Sequence, residues 1–198
     1  MTTTTQNDKT KMVEIDFMFV DLQGCTRCKG TDANLATALD TVRSVLEAAG
    51  VEILIRKTLV DSEQKAIELG FVSSPTIWVN GRDIALQLRE SNCASCGEAC
   101  GCEGKIDCRV WVYRGQEYTV APVPMIVDAI LSAVYGAREA MPSTAPKESK
   151  AVPENLRRFF AGKAAKQQLE CCSSAEQDVS CDAAKKATSC EPQTASCG

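Results

Sequence analysis

The sequence predicts an α/β domain over residues 13–136, a mixed sheet flanked by helices, with a cysteine-rich loop insertion at 89–108. Three observations carry this. Apolar, β-friendly runs alternate with helical periodicity in the order strand–helix–strand–helix–strand–strand–helix. Glycines and an Asn-Gly pair stand at the expected element boundaries. Beyond Gly136 the composition turns to Pro, Ala, Ser and Lys, which suits a linker rather than a core. Residues 1–12 are expected to be a disordered N-terminus, and 137–198 a linker, a short helix and a disordered cysteine-rich tail.

Val13 to Val20 (VEIDFMFV) is mostly apolar and reads as a buried strand. The glycine-containing stretch DLQGCTRCKGTD then leads into a helix capped by Thr31 or Asp32. That helix carries Leu35, Leu39, Val42, Leu46 and Ala49 on one face and stops at Gly50. Val51 to Val60 alternates as a second strand. Asp61 or Ser62 caps a short helix through Leu69, ended by Gly70. Thr76 to Val79 is a third strand, and Asn80-Gly81 signals a hairpin. Residues 91–108 hold too few apolar groups to pack by themselves. Arg109 to Thr119 regains strand character with a turn at Arg114-Gly115, and Met125 to Tyr135 is a helix with Ile126, Ala129, Ile130 and Val134 on one face. The first three strands alternate with helices, which favours a parallel core edged by an antiparallel hairpin. Farther on, Leu156, Phe159 and Phe160 form an apolar patch on a short helix, expected to dock on the core; the alternative is a partner or membrane contact.

The 198 residues (21.3 kDa) contain no histidine and 12 cysteines. Histidine-dependent triads, HExxH sites and Cys₂His₂ fingers are therefore excluded, and a soft-metal site has to rest mainly on sulfur. Net charge is −4 with no basic stripe, so no nucleic-acid partner is expected. No 18-residue apolar run occurs, so no membrane span is expected either. The N-terminal sequence lacks a basic region ahead of a long apolar run, so no signal peptide is expected and the reading is cytoplasmic. In that compartment thiols stay mostly reduced, so this many cysteines reads as catalytic or metal-binding. The alternative is secretion by an unrecognised route with a disulfide framework.

Cys25-Thr26-Arg27-Cys28 falls between the first strand and the first helix. A helix N-terminus stabilises a thiolate, and Arg27 adds a positive charge nearby. Cys25 is then the candidate nucleophile, and Cys28 attacks the resulting mixed disulfide. The competing reading makes the pair half of a zinc site completed by later cysteines.

This dithiol between strand and helix, followed by Ser74-Pro75-Thr76 opening a strand, resembles the thioredoxin superfamily. The segment from Ser73 to Gly81 is similar to glutaredoxin-like and small thioredoxin-like proteins. The resemblance implies a thioredoxin-like fold, a cis proline at Pro75 facing the dithiol, and a backbone at Ser74 that receives substrate. More narrowly, GCTRCKGTDANL, GFVSSPTIWVNGRDIA and CRVWVYRGQEYT resemble an uncharacterised thioredoxin-like family known only as a domain of unknown function. Gly24 replaces the tryptophan of thioredoxins proper, Thr26-Arg27 replaces their Gly-Pro, and Phe19 stands where their buried acid would be.

Cys93, Cys96, Cys100, Cys102 and Cys108 offer five thiols within 16 residues. Cys93-Ala94-Ser95-Cys96-Gly97 resembles a zinc knuckle, and Cys100, Cys102 and Cys108 are candidates to close the thiolate shell. Local disulfides, a redox relay to Cys25 and an iron–sulfur cluster are the other readings. In the tail, Cys171-Cys172 is a vicinal pair followed by Cys181, Cys190 and Cys197, and such tails resemble those of proteins associated with metalloid resistance. The other reading of the tail is an unselected disordered segment or an oxidant scavenger. Two functions follow as expectations. One is a thiol–disulfide oxidoreductase acting on a protein or small-molecule disulfide, with no organic cofactor. The other is a non-catalytic binder or chaperone of zinc, arsenic, mercury or another thiophilic ion.

Overall fold

The computed structural model describes residues 11–102, 106–136 and 151–175, with side chains placed through residue 168 of the last helix. The segments 1–10 and 137–150, expected to be disordered N-terminus and linker, and the cysteines at 181, 190 and 197 lie outside the described residues.

The chain is mixed α/β. Strand β1 (Lys11–Phe19) runs parallel to β2 (Val51–Leu59) and is joined to it by helix α1 (Thr26–Ala48). Val13, Ile15 and Phe17 are buried, while Met12, Glu14 and Asp16 between them are not. That alternation is the period-2 signature of a sheet with one covered face. Leu35, Leu39, Val42 and Leu46 of α1 and Ile126, Ile130 and Val134 of α4 (Val123–Tyr135) share a core with those strand residues. β2 is an outer strand. Leu54 and Ile55 remain about 40% exposed there, and Arg56 bridges Glu14 and Asp16 of β1.

Helix α2 (Glu63–Glu68) is capped by Ser62, whose hydroxyl accepts from the Lys65 N–H. It is followed by β3 (Thr76–Val79) and the two-residue β4 (Arg82–Asp83). Asn80 and Gly81 both take positive φ, 50° and 73°, as a tight hairpin needs. The parallel expectation fails at β3, which lies on the other side of β1 and antiparallel to it, in the order β2-β1-β3-β4. The helix between β2 and β3 is too short to serve as a crossover along the sheet. A nine-residue strand spans roughly 30 Å, whereas the six residues of α2 advance only about 9 Å. The chain does not return to the start of β2 and enters β3 from the end where β2 finished.

The cysteine-rich segment is ordered into β5 (Arg89–Asn92) and α3 (Ala94–Cys100), followed by β6 (Asp107–Tyr113) and β7 (Gln116–Tyr118) in a second antiparallel sheet, β5-β6-β7. It lacks bulky apolar groups but buries its sulfurs: Cys93, Cys96, Cys100 and Cys108 all belong to the core. A thiol behaves as a small hydrophobe when buried. The missing cover comes from far along the chain. Helix α5 (Glu154–Ala175) packs on α3 and α2 and buries Leu156, Phe159 and Phe160. Contact is close enough that a Cβ on Gly162 would sit 2.4 Å from the Cys102 sulfur and 2.6 Å from the Cys100 carbonyl oxygen. Among the described residues no helix is long and apolar enough to cross a membrane.

Candidate metal centre

The loop after β1 is set by Asp21, whose Oδ1 accepts from the N–H groups of Gln23 (2.6 Å) and Gly24 (2.8 Å). Its Oδ2 meets Lys163 Nζ of α5 at 3.0 Å. Burial raises the Asp21 pKa, but the Gly24 N–H, Lys163 and the Gln23 N–H outweigh it and leave the carboxyl below its usual range. This turn delivers Cys25 as the N-cap of α1, where its sulfur accepts from the Cys28 N–H at 3.3 Å. The helix thus starts at Thr26, ahead of the cap expected at Thr31 or Asp32. Gly30, a loop residue by composition, lies inside the helix, where a Cβ would sit 2.8 Å from Val120 Cγ2 and glycine lets the two approach.

Cys93 caps α3 and donates its N–H to the Ile106 carbonyl at 2.7 Å, and Cys96 follows one turn later. Cys108 lies near the start of β6, and its thiol donates to the Cys96 sulfur at 3.2 Å. These elements converge on the N-terminus of α1. The sulfurs of Cys25, Cys93, Cys96 and Cys108 all lie within 4.8 Å of one another, and all four residues are buried. Cys25 and Cys96 are 0% exposed. Tetrahedral thiolate coordination with metal–sulfur bonds of about 2.3 Å needs sulfur–sulfur edges of about 3.8 Å, so the cluster has the dimensions of a four-sulfur shell.

Such a group shares its protons. Donation from the thiols of Cys108, Cys28, Cys93 and Cys96 holds Cys25 far below an ordinary thiol. Cys108, whose thiol is hydrogen-bonded first to Cys25 and then to Cys93 and Cys96, is held up. Cys93 is pushed down to about 6, chiefly by the Cys108 thiol, against the opposing effect of Cys25. A bound cation displaces those protons and takes the thiolates as ligands.

The five sulfurs expected in one shell divide. Cys93, Cys96 and Cys108 join Cys25, while Cys100 and Cys102 are joined to each other as a disulfide. Cys171 and Cys172 fall within the backbone of α5, and their side chains lie outside the described residues. Cys28 is buried beside the cluster, with its sulfur 3.3 Å from Ser74 Oγ. Its thiol is raised by the hydrogen bond to Cys25 first and by burial second.

Arg27 does not point its charge at a sulfur. Its guanidinium donates to the carbonyls of Cys108 (3.0 Å), Asn92 (2.6 Å) and Arg109 (3.4 Å) and to Ser91 Oγ (3.0 Å). It therefore ties the first turn of α1 to the strands that carry Cys93 and Cys108. The Ser74–Pro75 peptide is cis. The Ser74 carbonyl accepts the N–H of Arg109 at 2.8 Å, so β6 of this same chain takes the place where the resemblance puts a substrate backbone. Ser95, which sequence reasoning passed over, links the two cysteine segments: its Oγ accepts from Thr26 N–H at 3.1 Å and lies 3.4 Å from the Cys93 sulfur. Asp21 and Lys163 were also missed, although an Asp three residues ahead of a glycine is a recognisable turn signal.

Residues 13–130 match the family described as "Domain of unknown function (DUF2703)". No curated protein and no solved structure matches the chain. The matched stretch includes all four clustered cysteines and Cys28, and ends before α5.

Proposed function

The chain belongs to the family of DUF2703, whose name carries no chemistry, and from its own sulfurs we propose that it is a thiophilic-metal-binding protein. One ion, zinc or another of similar softness, is held by Cys25, Cys93, Cys96 and Cys108. The observation that carries this is the burial of four thiols within 4.8 Å of one another. All-sulfur tetrahedral sets suit zinc or iron. With four protein ligands the site has no open position, which is the mark of a closed rather than a catalytic metal site. In this reading Arg27 positions the ligand-bearing strands, and Ser74 and Pro75 support Cys28 and the β6 strand. Cys171 and Cys172 are offered as further capture ligands near the end of α5. Free clustered thiols suit a reducing compartment, and we place the protein in the cytoplasm.

Thiol–disulfide exchange by Cys25 and Cys28 on a thioredoxin-like fold is the second reading. It is favoured by the contact of Cys28 with Cys25 and by the cis Ser74–Pro75 peptide beside them. Against it, Cys25 is fully buried and the Ser74 carbonyl is already bonded.

Elemental analysis and thiol titration of anaerobically purified full-length protein separate the two. One metal per chain in wild type, lost in Cys25→Ser and Cys96→Ser alike, supports the ion. Metal-free protein that reduces a model disulfide, with activity lost in Cys25→Ser and kept in Cys96→Ser, would overturn it.

A further inference from the structure

Both sheets end on strands whose outer backbone groups pair with no other strand among the described residues. Three of these edges are short, since β4, β5 and β7 have two, four and three residues. β2 has nine, with no proline or glycine among them. It exposes Leu54 and Ile55, and both of its cations are engaged within the chain. Arg56 is held by Glu14 and Asp16, and Lys57 by Asp32 at 2.5 Å. A long edge strand with neutralised charges lacks the usual defences against pairing with another chain.

The phase of this edge follows from its bonding to β1. The Val60 N–H donates to the Phe19 carbonyl at 2.8 Å. By the alternation of a strand, Thr58, Arg56, Leu54 and Glu52 also turn their backbone groups toward β1, and those of Val51, Ile53, Ile55 and Lys57 point outward. A second copy of β2 can therefore pair antiparallel only in registers that set outward residues opposite outward residues. With Ile53 or Ile55 on the two-fold axis, Leu54 faces a charged residue, Glu52 or Arg56. With Arg56 on the axis, two arginines face each other. With Leu54 on the axis, leucine meets leucine, Ile53 meets Ile55, and Glu52 lies opposite Arg56 on each side. Glu52 is exposed and, among the described residues, in no ion pair. Arg56 gives Nε and Nη2 to Asp16 and Glu14, which leaves Nη1 for an acid from outside.

We infer that β2 is a dimerisation edge: two copies of the chain pair β2 with β2, antiparallel about an axis at Leu54, and their four-stranded sheets continue as one. The pairing supplies roughly eight main-chain hydrogen bonds, covers Leu54 and Ile55, and gives Glu52 a partner on each side of the axis. It presents the same patch from both copies and so closes at two. It uses none of the cluster cysteines and stands apart from the metal-binding reading.

The test uses the full chain in a phosphine reductant, so that no disulfide joins copies. Sedimentation gives the mass, and residue-resolved amide exchange reports the edge. The protein should be a dimer that dissociates on dilution. The outward amides of Ile53, Ile55 and Lys57 should exchange slowly in the dimer and fast after dilution, while the inward amides of Leu54 and Arg56 stay protected in both. Leu54→Lys sets two ammonium groups together on the axis and should raise the dissociation constant at least about tenfold. Glu52→Arg, at an exposed position, faces Arg56 of the second copy and should act in the same direction. Leu59→Lys alters a similarly exposed leucine beyond the paired residues 51–57 and should leave the dimer unchanged. A monomer at millimolar concentration would overturn the inference, as would a dimer indifferent to Leu54→Lys and Glu52→Arg. So would a dimer in which the outward amides exchange freely. Outward amides protected at every dilution would give the edge to another segment, such as residues 1–10, and overturn it as well. Equal weakening by Leu54→Lys and Leu59→Lys would do the same.

Discussion

The main-chain N–H of Arg109 donates to the carbonyl of Ser74 at 2.8 Å, joining the second sheet to the residue that precedes the cis proline. The neighbouring residue, Cys108, is thereby held against the N-terminus of α1. A backbone group that would otherwise face an incoming chain is satisfied from within, and the fourth cluster sulfur is brought to Cys25 by the same contact. The arrangement makes several outcomes measurable.

Arg27 is nearly buried and donates to three carbonyls and one hydroxyl on β5 and β6. Arg27→Ala should destabilise the fold by about 1–3 kcal/mol, the cost of leaving buried acceptors unpaired. It should also weaken zinc binding at least about tenfold, because Cys93 and Cys108 lose their anchor to α1. Arg27→Lys should restore only part of this, since one ammonium cannot reproduce the fork. Denaturant titration and competition with a zinc chelator read the two effects separately.

Metal removal should act on the second sheet first. β5 and α3 are linked to the rest of the core through buried sulfur more than through bulky side chains, whereas β6 adds the buried Trp111. Chelation should therefore raise amide hydrogen exchange over residues 89–110 well before it does so in β1 or β3. Ligand excess at a thousand times the dissociation constant adds about 4 kcal/mol, so the melting temperature should fall measurably on chelation. Uniform exchange across both sheets would count against this.

Gly162 lies where α5 meets the Cys100–Cys102 disulfide. Gly162→Val places carbon inside the radius of the Cys102 sulfur, and α5 has to shift away. A loss of about 1–3 kcal/mol is expected, typical of overpacking. Metal content should change little, because the atoms nearest this position belong to Cys100 and Cys102 and not to the four cluster cysteines. A thermal melt alongside elemental analysis checks both.

The Asp21 carboxylate supplies an acid-sensitive part of stability. Its folded pKa lies below its usual value, so the unfolded chain takes up a proton there more readily than the folded chain. That contribution is complete above the unfolded pKa, near 4, and disappears as pH falls through the folded value. Asp21→Asn should flatten the loss of stability on acidification below about pH 4, and Lys163→Met should do so in part. Urea midpoints measured from pH 6 downward give the comparison.

Much of the fold was legible because local signals were strong. Ser62 caps α2, Asn80-Gly81 turns the β3–β4 hairpin, and Gly50 and Gly70 take positive φ after the helices they close. Direction of β3 was not legible, since it depends on the path of the whole connection from β2 and not on the pattern of β3 itself. The site was half legible. Cys25, Cys93, Cys96 and Cys108 could each be picked out as chemically active; the leading reading grouped Cys25 with Cys28 and the others with Cys100 and Cys102, and only the competing zinc reading joined Cys25, together with Cys28, to later cysteines. Their actual association is set by α3 and β6 folding back onto α1, a long-range contact that sequence spacing does not encode. The order within the cysteine-rich stretch was hidden for a similar reason: its cover is α5, supplied from residues 154 onward.

The separation of Cys25 from its three cluster partners also has a consequence for biosynthesis. A ribosome adding about 5–20 residues per second exposes the Cys25 side chain several seconds before Cys93, Cys96 and Cys108 have been made. During that interval its nearest sulfur is Cys28, and the nascent chain is vulnerable to premature oxidation until β6 has emerged and folded back.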